Sequence, residues 1–171
     1  MIEVEEMTPS EAHALLERAD YGHLGCARDN RPYVMPIHYA YEAPDIYIFT
    51  TEGMKTEFIA ANPEVCLQVE EVVDPTNWKS VIATGKAEHL TNQEEIEHAM
   101  QFITKSNPTL TPALNKMWID PWGRASNVTL YRIHPDIISG RKTLPPGETR
   151  GQSVLDKSAT SPILNNRNAV E

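Results

Sequence analysis

Cysteine is scarce in this chain: two in 171 residues, Cys26 and Cys66. Both lie in apolar runs that read as strands, which argues against a disulfide framework and fits a reducing cytoplasm. Positive charge is also short. Fifteen Lys and Arg face 24 Asp and Glu, a formal net charge of −9. Nucleic acid and anionic membrane both recruit clustered cations, so neither is expected as a partner. No apolar run reaches the length of a membrane-spanning helix. The start, MIEVEEMTP, lacks the basic and apolar regions of a signal peptide. Catalytic and metal signatures are missing too. The six histidines show no HExxH spacing, the cysteines no zinc spacing, and no GxSxG elbow occurs, so no metal is expected. Gly53-Met54-Lys55-Thr56 echoes the end of a phosphate-binding loop, but the position of the loop's first glycine holds Ile48. Glu95-Ile96-Glu97-His98 is half of a carboxylate-bridged metal motif without its second half, and reads as the solvated face of a helix.

What is present is a rhythm of short strands. Thr8-Pro9-Ser10-Glu11 forms a capping box, and Ala12, Leu15, Leu16 and Ala19 make one apolar stripe, giving a helix over Pro9–Ala19. Gly22–Arg28 and Tyr33–Tyr41 read as strands joined through a turn at Asp29-Asn30. In the second strand Tyr33, Met35, Ile37, Tyr39 and Tyr41 share one face, and Val34, Pro36, His38 and Ala40 the other. Pro36 lacks an N–H and belongs at an edge or a bulge. Ile46–Thr51, Val65–Val72 and Ser80–His89 are further strands. Thr91-Asn92-Gln93-Glu94 starts a second amphipathic helix that ends near Asn107-Pro108. Thr109–Ser126 is irregular, Val128–His134 is a final strand with Asp136–Lys142 after it, and a polar, mobile tail follows from Thr143. The expectation is one mainly β domain over residues 1–142, a six-stranded antiparallel barrel with peripheral helices, and a tail over 143–171.

The stretch FTTEGMKTEFIAANP, Phe49 to Pro63, passes from strand through Gly53 into a short helix. Lys55 sits in the first helical turn, where a cation opposes the helix dipole. Free N–H groups at such a start favour an anion, Gly53 lets backbone approach closely, and Thr50 and Thr51 add hydroxyls. Together these can hold a phosphate monoester. The competing reading makes Thr51 a helix cap and Lys55 a solvated side chain, and spacing alone favours it.

RPYVMPIHYAY, FTTEGMKTEFIAANPEVCLQVE and WKSVIATGKAEHL follow one another with short connections. In this order they resemble the flavin-binding split-barrel superfamily related to pyridoxamine 5′-phosphate oxidase, and most closely its nitroimidazole-resistance-like flavoproteins. The resemblance covers Pro9 to Lys142. It implies a homodimer with FMN at the interface, FAD or haem being the alternatives. The strand holding Pro36, Ile37, His38 and Tyr39 would run along the flavin ring. Thr50, Thr51, Gly53, Met54 and Lys55 would grip the phosphate, with Ser80 and Val81 nearby. Two departures stand out: Met54 occupies a position where many relatives carry Arg, and Gly53 one where the oxidases carry Ser. The oxidases' vitamin-substrate residues near the C-terminus have no match.

His38 is the one candidate catalytic side chain, able to hydrogen-bond to the ring or shuttle a proton; a histidine satisfied by a backbone carbonyl is an equal reading. Trp118, Trp122 and Arg124 are candidate contacts to the partner chain's cofactor, with core packing or plain surface as the competing readings. His134 can ligate haem or simply end a strand at the surface. The resulting expectation is a cytoplasmic FMN-dependent oxidoreductase acting on a small, nitroaromatic-type acceptor. The alternatives are a flavin carrier without turnover and a haem-binding relative.

Overall fold

The computed structural model describes residues 2–106 and 128–144. The elements run β1 (Val4–Glu6), α1 (Pro9–Arg18), β2 (Tyr21–Arg28), β3 (Arg31–Glu42), β4 (Asp45–Thr51), α2 (Met54–Ala61), β5 (Glu64–Asp74), β6 (Asn77–His89), α3 (Gln93–Ser106) and β7 (Val128–Thr143). The sheet order is β1-β7-β4-β3-β2-β5-β6, and β6 pairs back onto β7. Six antiparallel strands therefore close a ring, as the sequence suggests, and β1 adds a seventh outside it. β1 escapes sequence reading because three residues give no period to read.

The two segments expected at the C-terminal end of the barrel are one strand. β7 pairs with β4 through its first half and with β1 through its last residues, and with β6 along most of its length. Pro135 falls at the register shift between Thr84 and Gly85 of β6, so the strand bulges there rather than stopping. A Cβ on Gly85 would lie 2.2 Å from the His134 carbonyl, so only glycine allows this approach. Thr143, which the sequence places in the tail, accepts the Trp78 N–H at 3.0 Å, and the Leu144 N–H donates to Glu3 C=O. The rest of that tail lies outside the described residues.

Alternation decides the core. Met35, Ile37, Tyr39 and Tyr41 are buried inside the ring with Leu24, Leu67, Val81 and Ile133. α1 plugs one end of the ring with Ala12, Leu15 and Leu16. α3 lies across the outside, where Ala99 and Ile103 cover Ala40, Tyr47 and Leu130. The α3 cap is Asn92 and not Thr91: its Oδ1 accepts the Glu94 N–H at 2.9 Å and the Glu95 N–H at 3.3 Å. Nor is the outer face of α3 bare. His98 bonds Glu42 at 2.6 Å and Arg132 bonds Glu95 at 3.0 Å. Cys26 and Cys66 are free thiols. No helix among the described residues is long and apolar enough to cross a membrane.

The α1 capping box forms as the sequence dictates, with Thr8 N–H donating to Glu11 and Glu11 N–H to Thr8 Oγ1. Glu11 also accepts from Lys142 Nζ at 2.6 Å, which pins α1 to β7, and Lys142 reaches Glu5 at 3.0 Å. The Lys142 hydrogen bond is the main reason that the Glu11 carboxyl drops from 4.5 to about 2. A carboxyl lowered on folding adds stability above its unfolded value and loses it as pH falls through the folded one. Acid unfolding of the wild type should therefore steepen from about pH 4.5 to 2. Lys142→Met should be less stable at neutral pH and flatter across that window, measured by denaturant midpoints at several pH values. An unchanged pH profile in the variant would remove Lys142 as the cause.

α2 starts without the expected Thr51 cap. Gly53 has φ 158° and ψ −162°, a region open to glycine and strained for other residues. The Thr56 hydroxyl closes the turn instead: it accepts the Gly53 N–H at 3.0 Å and donates to the Gly53 carbonyl at 2.8 Å. Thr56→Ala should cost about 1 kcal/mol, and Thr51→Ala much less, by thermal or chemical denaturation. The opposite ranking would restore Thr51 as the cap.

Candidate functional site

The site begins where β3 and β4 part. β2 follows β3 along its whole length, from Arg28–Arg31 at the turn to Tyr21–His38. β4 follows it only from Glu42–Asp45 to Tyr39–Ile48. The Tyr39 N–H reaches the Asp20 carbonyl at 3.1 Å, so Tyr39 turns its backbone toward β2. By antiparallel alternation, His38 and Pro36 turn theirs toward the β4 side. Pro36 has no N–H to offer there, and the strands splay.

A cleft of about 340 Å³ fills the wedge. Pro36, Ile37 and His38 line it from β3, Phe49 and Thr50 from β4, Tyr21 from β2 and Lys55 from α2. Five residues chosen from sequence thus converge: Pro36, Ile37, His38, Thr50 and Lys55. α3 covers Ala40 but leaves Val34, Pro36 and His38, on the same face of β3, exposed.

Lys55 is half-buried and has no ion-pair or hydrogen-bond partner among the described residues. The first intrahelical bond of α2 runs from Glu57 N–H to Gly53 C=O. The N–H groups of Met54, Lys55 and Thr56 therefore precede the helical ladder. A built Cβ on Gly53 meets nothing within 4 Å, so this corner is open. Thr50 is buried and paired with β7, where Thr129 Oγ1 donates to its carbonyl at 3.1 Å. This end of the cleft can hold an anion.

The other end is aromatic. The His38 ring lies 5.2 Å from Tyr21, edge-on at 65°, and His23 sits 5.9 Å from Tyr21 on the far side. His38 Nδ1 lies 3.2 Å from the Asp20 carbonyl, so the backbone-satisfied reading holds for that nitrogen. A carbonyl only accepts, so Nδ1 carries the hydrogen and Nε2 is left for other partners. Tyr21 and Pro36 offer a flat ring an apolar bed, and Ile37 reaches the cleft from a strand position whose side chain is buried in the core.

Other expected residues sit elsewhere. The Tyr39 side chain is in the core: its hydroxyl donates to the Leu16 carbonyl at 2.8 Å, and burial pushes its phenol upward. Val81 is fully buried. Ser80 accepts from Gln68 Nε2 at 3.3 Å and lines a second cleft, of about 460 Å³, with Trp78, Ile82, Ser139 and Arg141. Thr51, Gly53 and Met54 are exposed beside the first cleft. His134 bonds Asp45 at 2.7 Å on the outside of the barrel. Trp118, Trp122 and Arg124 lie outside the described residues. Tyr21 and Phe49 are the lining residues that the sequence reading misses. Counting back from the two-residue turn at Asp29-Asn30, which sets the register, puts Tyr21 opposite His38.

Comparison with known proteins matches this architecture. The pyridoxamine 5′-phosphate oxidase family model covers residues 8–142. An uncharacterized protein, RA0666 of Rhizobium meliloti (strain 1021), is 34% identical over 142 residues, 81% of this chain and 94% of the relative. A FAD-binding protein of Mesorhizobium loti superposes with a TM-score of 0.67 at 28% identity, over 85% of this chain and all of that one. A candidate 5-nitroimidazole antibiotic resistance protein of Bacteroides thetaiotaomicron VPI-5482 superposes with a TM-score of 0.65 at 20% identity, over 84% of this chain and 89% of that one, a likeness of fold. With a family model spanning the ring from the α1 cap to the end of β7, the chain belongs to the pyridoxamine 5′-phosphate oxidase family.

Proposed function

We propose that the protein is a flavin-dependent oxidoreductase that uses FMN, acts on a small acceptor of nitroaromatic type, and works as a cytoplasmic homodimer. The observation that carries this is the cleft between β3 and β4, which joins Lys55, without an ion-pair or hydrogen-bond partner among the described residues, and the free N–H groups at the start of α2 to the apolar surfaces of Tyr21 and Pro36. A phosphate monoester joined to a flat ring has that polarity. The FAD-binding Mesorhizobium relative supports a flavin in this fold. The flavin supplies the electron transfer, and the chain supplies binding, orientation and exclusion of water. A visible spectrum of the purified protein separates flavin from haem, and anaerobic mixing with a reduced nicotinamide separates an enzyme from a flavin carrier.

Lys55→Ala should weaken FMN far more than riboflavin, which lacks the phosphate. A charge-assisted hydrogen bond is worth about 1.5–3 kcal/mol, so FMN affinity should fall roughly tenfold to a hundredfold. Stability should hold, since the change removes a cation from the positive end of the helix dipole. Equal losses for the two ligands in a binding titration would make Lys55 a surface lysine only.

The homodimer reading rests on the outer side of β3, β2, β5, β6 and β7. Val34 is 64% exposed there, Tyr21 47%, Ile82 44% and Ile137 63%, and no described helix covers them. One cleft lies at the β3–β4 border and the other on β6 and β7. A two-fold axis through the middle of this face would bring Trp78 and Arg141 of one copy toward the Lys55 cleft of the other. Sedimentation should therefore give a dimer, and Ile82→Asp should give a folded monomer with weakened flavin binding. A wild-type monomer that still holds flavin tightly would overturn the homodimer.

A further inference from the structure

We propose that His38 takes up a proton when the bound flavin is reduced, so that this one side chain adds a second proton to the pH dependence of the site's redox equilibrium. The inference rests on the flavin reading above and adds to it the regulation of the site. Its ground is geometric. His38 lines the cleft that holds Lys55, and its ring is exposed. Nδ1 is committed to the Asp20 carbonyl at 3.2 Å, which leaves Nε2 as the atom that gains or loses the proton. The edge-on contact with Tyr21 at 5.2 Å holds the ring plane.

The charged and titratable groups around His38 come from three places. Asp20 lies at the α1–β2 junction, Tyr21 and His23 on β2, and Lys55 on α2. From β4 the cleft receives Phe49 and Thr50, which do not titrate in the working range. Lys55 adds a positive charge to the same cleft, and a reduced ring would add a negative one. With a flavin in the cleft, a two-electron donor such as a dihydronicotinamide would supply a hydride equivalent and leave as the oxidised nicotinamide, and Nε2 of His38 would take a proton from solvent against the negative charge so gained. The atoms balance as one hydride from the donor and one proton from water, with no bond made to the protein beyond N–H. Histidine is the side chain suited to this exchange near neutrality.

The test is the midpoint potential of the flavin-loaded protein against pH, between about pH 5 and 8. One proton per two electrons moves the potential by about 30 mV per pH unit, and two protons by about 59 mV. The wild type should follow the steeper line through part of this range, and His38→Gln the shallower one. Indicator-dye measurement of protons taken up on photoreduction of the wild type should agree, and it needs no variant. Flavin that loads normally while wild type and variant share one slope, or an uptake of one proton throughout, overturns the role of His38 alone. A protein that loads no flavin overturns this inference together with the flavin reading.

Discussion

The missing N–H of Pro36 is the constraint on which the site depends. β3 pairs with β2 from Arg31 to His38 but with β4 only from Tyr39 to Glu42, although β4 runs on to Thr51. The next bonded pair after Ala40–Tyr47 would join His38 to Phe49, and the one after that would need a donor at Pro36. The ladder instead ends at Tyr39–Ile48, and the two strands diverge into a wedge. Each backbone bond forgone there is worth only about 1 kcal/mol net, because the freed groups meet water rather than apolar core. A small local cost thus opens a cleft in an otherwise closed ring. α3 reaches Ala40 and stops short of His38, so no described helix covers the wedge on its outer side.

The second feature follows from how α2 begins. β4 ends at Thr51, and the chain must turn sharply to start a helix at Met54. Gly53 supplies the backbone angles and Thr56 the hydroxyl that closes the turn. Thr56 satisfies the Gly53 N–H, and the next three N–H groups are left to face outward. Lys55 in that turn opposes the dipole by roughly 0.3–1 kcal/mol. The same N–H groups and the same cation become favourable together once an anion sits among them. Sequence order thus sets a small instability that an anion in this corner would remove.

Much of this was legible in the sequence. The alternation from Tyr33 to Tyr41 gave both faces of β3, and the Asp29-Asn30 turn gave the β2–β3 hairpin, with both residues at positive φ. The Pro36 argument held because edge chemistry is local. What stayed hidden depended on partners distant in sequence. Thr91 and Thr51 looked like caps, yet Asn92 and Thr56 did the work, since an Asx or Thr side chain one or a few residues away competes for the same N–H groups. β1 is too short to show a pattern and exists because the end of β7 needs a neighbour. The bulge at Pro135 joined two apparent strands because Gly85, fifty residues earlier in the chain, leaves room for it.

The remaining misplacements share one cause, and it shows how the barrel keeps stability and binding apart. In a strand, neighbouring side chains point to opposite faces. Tyr39 and Val81 therefore fill the ring, while His38 and Ser80, one residue away, look outward. A motif read as a run of residues assigns one role to both members of such a pair. The pleat gives them different ones: Tyr39 anchors α1 through Leu16, and His38 faces the cleft. Exposed His38 and half-buried Lys55 are not part of the buried clusters. Substitution at His38 or Lys55 therefore leaves the core filled.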